Sequence, residues 1–283
     1  MAPSEGRAGR PPVPDALPHQ VVDNHCHLDM SSQGSPMPVG EALRLARSVG
    51  VTRVVQIGCD LPGARWAVRH AQEYDALVAG VALHPNEAPR LAENGDLPDA
   101  LAEIDRLAGA GDRVRAVGET GLDYFRTEPP GRAAQHDSFR AHIALAKQHE
   151  KTLVVHDRDA HDDVLAILDE EGPPDRVVMH CFSGDAEFAQ QCVRRGFWLS
   201  YAGTVTFKNA ATLREALAVT PLERVLVETD APFLTPMPHR GRPNASYLVP
   251  LTVRAMAETL QADVADLCQR IDANTEDAFG GRW

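Results

Sequence analysis

The sequence predicts an α/β chain forming a single TIM (β/α)8 barrel, and three observations carry that prediction. Eight short, valine-rich runs alternate with longer segments of helical spacing. The runs are nearly continuously apolar, as expected of parallel strands covered on both faces. Polar side chains able to hold a metal follow directly on most of them. One barrel also fits a chain of 283 residues. A doubly wound sheet is the alternative, because chain periodicity alone does not close a barrel.

The elements follow in order. The first strand is "HQVVDNH", and the helix after it, "VGEALRLARSVG", sets Leu43, Ala46 and Val49 on one face and charges on the other. "VTRVVQIGC" and "ALVAGVALH" are the second and third strands, and Pro62 and Pro98 open the helices behind them. "RVRAVGE" leads into the longest helix, "RAAQHDSFRAHIALAKQHE". "KTLVVHD" and "DRVVMHC" come next, then "DAEFAQQCVRRG", a helix closed by Gly196 as C-cap. "FWLSYAG", a helix opened by Pro221, and "ERVLVETD" complete the eight. The long irregular stretch "APFLTPMPHRGRPNASYLVP" follows, and a loop of that length in a compact domain tends to be functional. Residues 1–18, rich in proline, read as a flexible, disordered N-terminal tail ahead of one domain over 19–283.

Composition narrows the function. No apolar run approaches the roughly 18 residues of a membrane span, and the N-terminus has no signal-peptide core. The five cysteines form no C-x-x-C pair, so no disulfide framework is expected and a cytoplasmic location is. A net charge of −12 opposes coating nucleic acid by bulk electrostatics. It still allows a nuclease whose site carries its own cations.

Chemistry in a TIM barrel gathers at the C-terminal ends of the strands. There the chain places His25 and His27, His84, Glu119, His156, His180, and finally Glu228 and Asp230. A lone histidine after a strand is more often a hydrogen-bonded structural residue. Six of eight strands ending in such residues is a different matter, since imidazoles and carboxylates crowded at one mouth are costly without cations. Imidazole with carboxylate suits Zn, Mn, Fe or Co better than Mg or Ca. Six ligands exceed what one tetrahedral ion takes, so two ions sharing a carboxylate fit better, with Glu119 as the bridge.

Together, "DNHCHLD", "VGETGLDYF", "VHDRDA", "MHCFSG", "ETDAPFLTP" and "HRGRPN" resemble the TatD-type metal-dependent deoxyribonucleases of the amidohydrolase superfamily, over about residues 20–280. The resemblance implies two divalent ions, one held by His25, His27, Glu119 and Asp230 and one by Glu119, His156 and His180, with Mg among the possible metals. It implies a DNA substrate, cut at single-stranded or frayed 3′ ends by a water activated between the ions. Asp230 and Glu119 are then the catalytic carboxylates, Asp230 handling the proton of that water. His84, Arg126, Arg158 and Lys208 are candidate phosphate contacts, and Arg240 and Arg242 stand between that role and surface ion pairs. No membrane and no obligate protein partner is expected.

Some positions depart from the family pattern. Asn86 stands where a second histidine is common, Asp157 adds a charge beside His156, and Asp277 replaces an arginine. Asp23 reads as a partner orienting an imidazole and Asp29 as a nearby loop residue. Ser183 and Gly184 offer backbone N–H groups to a phosphate. Cys26 and Cys181 read as small hydrophobes, Trp66 and Trp198 as packing, and His136, His142 and His149 as solvated residues of the long helix. A second reading keeps the site and changes the bond, to a deacylase or amidohydrolase acting for example on aminoacyl-tRNA. A third, a non-catalytic binding protein, would be favoured by a missing ligand, and none is missing.

Overall fold

The computed structural model describes residues 9–34 and 36–283. Its strands are β1 Val21–Cys26, β2 Val51–Gly58, β3 Leu77–Val81, β4 Val114–Asp123, β5 Thr152–Arg158, β6 Val177–Met179, β7 Trp198–Tyr201 and β8 Val225–Val227. They pair in parallel in sequence order. Each coincides with one of the eight apolar runs.

The helices are α1 Val39–Ser48, α2 Leu61–Glu73, α3 Ala88–Glu93, α4 Leu97–Ala108, α5 Pro129–Gln148 and α6 His161–Glu171. Then come α7 Ala186–Arg194, α8 Ala211–Val219, α9 Val249–Leu260 and α10 Val264–Ala278. Two helices follow β3 and two follow β8. Asp60 and Asp185 cap α2 and α7 by accepting the amides of Gly63 and Phe188. Gly196 follows α7 in the left-handed region, as the sequence suggests. Pro221 opens a single 3₁₀ turn, Leu222–Arg224, ahead of β8, whereas α8 has already ended at Val219.

The barrel interior takes one apolar layer from all eight strands: Val22, Val55, Val78, Ala116, Val154, Val178, Trp198 and Leu226. Ala278 and Phe279 close it from below. This layer faces away from the mouth, so it stabilises the barrel and leaves the strand ends free for chemistry. The larger apolar shell lies between strands and helices.

The seam between β8 and β1 is held at its upper end. The His27 amide donates to Ala231 O at 2.7 Å and the Asp230 amide to His25 O at 3.0 Å. Asp23 accepts from the Thr229 amide at 2.8 Å and its hydroxyl at 2.6 Å. Asp23 therefore ties two strands together and orients no imidazole, contrary to the sequence reading.

Two further expectations change. Residues 9–18 form no helix or strand, yet they dock on the barrel instead of moving freely. Arg242 donates to Gly9 O and Arg10 O, Tyr247 to Pro11 O, and Arg254 to Asp15 O and Ala16 O. Leu17 is buried. Residues 1–8 lie outside the described residues. His142 is buried, not solvated: its Nε2 accepts from the Leu83 amide at 3.0 Å, joining α5 to the end of β3.

Candidate metal centre

Glu119 stands at the middle of the mouth because β4 is bulged there. The pairing of β4 with β5 shifts register between Gly118 and Thr120, and a bulge re-aims the side chain it carries. Glycine on either side makes this possible. A Cβ on Gly118 would lie 2.5 Å from Val154 Cβ, and one on Gly121 would lie 2.0 Å from His156 O. The motif "GETG" thus presses β4 against β5 and leaves the carboxylate pointing up.

The two carboxylate oxygens of Glu119 face different donors. Oε1 lies 3.5 Å from His25 Nε2 and 3.4 Å from His27 Nε2. Asp230 Oδ1 completes that side, 3.3 Å from His27 Nε2 and 3.9 Å from His25 Nε2. Oε2 lies 3.1 Å from His156 Nδ1, 3.1 Å from His180 Nε2 and 3.8 Å from His84 Nε2. Donors held about 2.1 Å from one ion stand roughly 3.0–3.4 Å apart, and most of these distances lie in or near that range; the donor atoms of His25, His27 and Asp230, of His25, Glu119 and His180, and of His84, Glu119 and His156 each gather within 4.8 Å of one another. His25 is fully buried and its Nε2 has no hydrogen-bond partner. A buried lone pair left so is costly unless it has a ligand. The residues present fit divalent ions on both sides of Glu119.

Behind the ring, other groups fix the imidazoles. His27 Nδ1 donates to Ile57 O at 3.0 Å, which leaves Nε2 as the free lone pair. His180 Nδ1 lies 2.9 Å from Glu228, itself fully buried. His156 Nε2 lies 3.4 Å from Asp123, which also accepts from Asn86 Nδ2 at 3.1 Å. Asn86 therefore anchors the carboxylate that steadies His156. Asp157 pairs with His161 at 2.7 Å and not with the ring, and Asp29 accepts from Gln56 beside it.

Electrostatics match the crowding. Burial pushes the Glu119 carboxyl up, but His180 and His84 charges and the hydrogen bonds from His156 and His180 outweigh it and hold it well below its ordinary value. Burial lowers His27, yet Asp230 and Glu119 raise it to about 9. His84, with burial dominant, falls to about 3. Asp23 rises to about 6 through burial.

A cleft of ≈ 590 Å³ opens above the ring, lined among others by His84, Arg126, Arg158, Ser183 and Phe233. Arg158 sits over the exposed Phe125 ring at 3.9 Å. Lys208 is not in this cleft. It lines a separate groove with Phe207 and Arg214, because the 3₁₀ turn Gly203–Thr206 carries the chain away from the mouth. Arg242 is spent on the N-terminal segment, and Arg240 lies over Phe207 at 4.3 Å.

The sequence reading missed three contributors. Asp123 lies in the same strand as Glu119, four residues on, where strand alternation could have found it. Glu228 was noted as a strand end but given no role. Cys59, the first residue beyond β2, has Sγ 3.2 Å from Glu119 Oε1.

Residues 22–280 match the family described as TatD related DNase. An uncharacterized metal-dependent hydrolase, TatD of Mycobacterium tuberculosis, is 43% identical over 270 residues, spanning 93% of this chain and 99% of that protein. YabD of Bacillus subtilis, also an uncharacterized metal-dependent hydrolase, is 37% identical over 261 residues, spanning 92% and 98%. The crystal structure of YjjV, a TatD homologue from Escherichia coli, matches with a TM-score of 0.83 at 26% identity, over 93% of this chain and 98% of that one. The ring of histidines and carboxylates at the mouth of an eight-stranded barrel is thus that of a metal-dependent hydrolase, and the chain belongs to the TatD family.

Proposed function

We propose that the protein hydrolyses phosphodiester bonds in DNA, at single-stranded or frayed ends, with two divalent ions bridged by Glu119. The observation that carries this reading is the division of Glu119, one oxygen towards His25, His27 and Asp230 and the other towards His156 and His180. Bound there, the ions would acidify a water and neutralise charge on a phosphoryl oxygen.

The chain's own residues supply the rest. Asp230 is the general base: its side chain is 14% exposed against 5% for Glu119, so it is the ring carboxylate that opens to the cleft. Its proton-accepting oxygen is held by a backbone in the left-handed region, with φ of 54°. Arg126 and Arg158 both line the cleft and would grip the phosphate by charge-assisted hydrogen bonds. His84 Nδ1 accepts from the Asn86 amide at 3.1 Å, so its Nε2 carries the proton and can donate a hydrogen bond to the scissile group. Phe233, 46% exposed in the cleft lining, offers a face on which a base can stack. Such contacts read backbone and base face without sequence preference.

The test offers single-stranded DNA, duplex DNA, RNA and an aminoacyl ester to the protein loaded with Mg, Mn or Zn. Single-stranded DNA should be shortened fastest, and Glu119→Ala should lose at least about a thousandfold, as for loss of a group the whole site depends on. Cleavage of the ester with DNA left intact would transfer the site to deacylation. Equal DNA cleavage by Glu119→Ala would remove it from this mouth altogether.

A further inference from the structure

We propose that Phe125 and Phe233 are two base-stacking platforms on opposite sides of the metal centre, so that the preferred substrate strand carries unpaired bases on both sides of the bond that is cut. The inference rests on the phosphodiesterase reading above and names the part of a nucleic acid which that reading selects.

Exposure singles these two residues out. The chain has eight phenylalanines, and Phe125 and Phe233 are the exposed ones, at 63% and 46%. Phe125 lies just beyond the end of β4, and Phe233 lies in the loop after β8. Those strands are four apart in a barrel of eight, so they face each other across the mouth. Glu119 comes from β4 and Asp230 from just beyond β8, and both belong to the ring between the two aromatics. A strand laid from one phenylalanine to the other therefore crosses the metal centre.

Each ring is held ready. Arg158 covers one face of Phe125, its guanidinium carbon 3.9 Å from the ring centre, and the other face is left to solvent. The Tyr124 amide donates to Arg158 O at 2.9 Å and the Arg126 amide to Asp123 Oδ1 at 2.9 Å, which fixes the backbone on both sides of Phe125. The Phe233 amide donates to Asp230 O at 2.9 Å, and its carbonyl accepts from Asn244 Nδ2 at 2.6 Å. Its ring meets His27 edge to face, with centroids 6.4 Å apart. Platforms fixed in this way lose little freedom when a base settles on them.

The charge beside Phe125 suits a nucleotide. Arg158 backs the ring and also lines the cleft together with Arg126. It can hold a phosphate while the open face of the ring takes a neighbouring base. Bases inside a duplex are already stacked on both faces, so unpaired ones turn to the rings most readily.

Single-stranded oligonucleotides with one cleavable bond among resistant linkages test this. Bases are removed one at a time along the strand, and kcat/KM is measured for the wild type, Phe125→Ala and Phe233→Ala. On the complete strand each substitution should cost about 5–100-fold. Phe125→Ala should cost less than about twofold once a base on one side of the bond is absent, and Phe233→Ala once a base on the other side is absent. Phe125→Trp should restore cleavage and Phe125→Leu should not, because a base stacks on an aromatic face.

Losses that stay the same whichever base is removed would overturn the inference and leave the phosphodiesterase reading standing, since the wild type still cuts. Coupling of both rings to bases on a single side would refute the crossing of the mouth. A wild type that cuts none of the strands would remove the phosphodiesterase reading itself, and this inference with it.

Discussion

At the scale of single residues, the ring is legible in the sequence because strand ends are. His25, His27, Glu119, His156, His180 and Asp230 each follow an apolar run, and a parallel barrel turns that position into a shared mouth. What supports the ring is less legible, because Asp123, Glu228 and Asn86 act through contacts between strands far apart in the chain. Glu228 shows the consequence. Buried at 2.9 Å from His180 Nδ1, it raises the basicity of the nitrogen facing Glu119. Glu228→Gln should weaken metal binding about 10–100-fold in a competition titration while leaving the cleft walls untouched. Unchanged affinity would make Glu228 purely a packing residue.

His27 gives the pH dependence. It is raised from 6.5 to about 9 in the metal-free fold. Its contribution to stability is therefore complete below its unfolded value and lost as pH rises through about 9. The same imidazole must be neutral to hold a metal, so metal binding strengthens as pH rises. The melting temperature of the metal-free protein should fall between pH 6.5 and 9, while the gain on adding zinc grows. A gain that shrinks over that interval would contradict the assignment.

At the scale of elements, all eight strands could be read directly, since burial on both faces leaves an unbroken apolar run. Helices facing solvent on one side were read less well. His142 looked solvated on a long polar helix, yet α5 turns it inward to satisfy the Leu83 amide. The bulge in β4 was invisible as such, although its glycines stood in plain view around Glu119. Gly121→Ala tests their part: the added carbon would stand 2.0 Å from His156 O, so β4 and β5 must separate. It should cost about 1–3 kcal/mol in denaturant unfolding and weaken metal binding together. A neutral result in both would mean that the close approach does not set the carboxylate.

At the scale of the molecule, the barrel spends its lower interior on packing and its upper rim on charge. Ala278 and Phe279 seal one end while the acidic and imidazole groups crowd the other, a separation that lets a chain of net charge −12 offer a site built for cations. The N-terminal segment was the part of the whole least legible: residues 9–18 look like linker by composition, and they dock through backbone carbonyls, which no side-chain pattern announces.

No helix among the described residues is long and apolar enough to cross a membrane. The relatives match this chain nearly end to end, and the metal centre at the barrel mouth is where function is decided. The direct measurement is metal content per chain after dialysis, for the wild type, His156→Ala and Glu119→Ala. The expected contents are two ions, one ion and fewer than one. Two ions retained by Glu119→Ala, or one in the wild type, would contradict a centre bridged by that carboxylate.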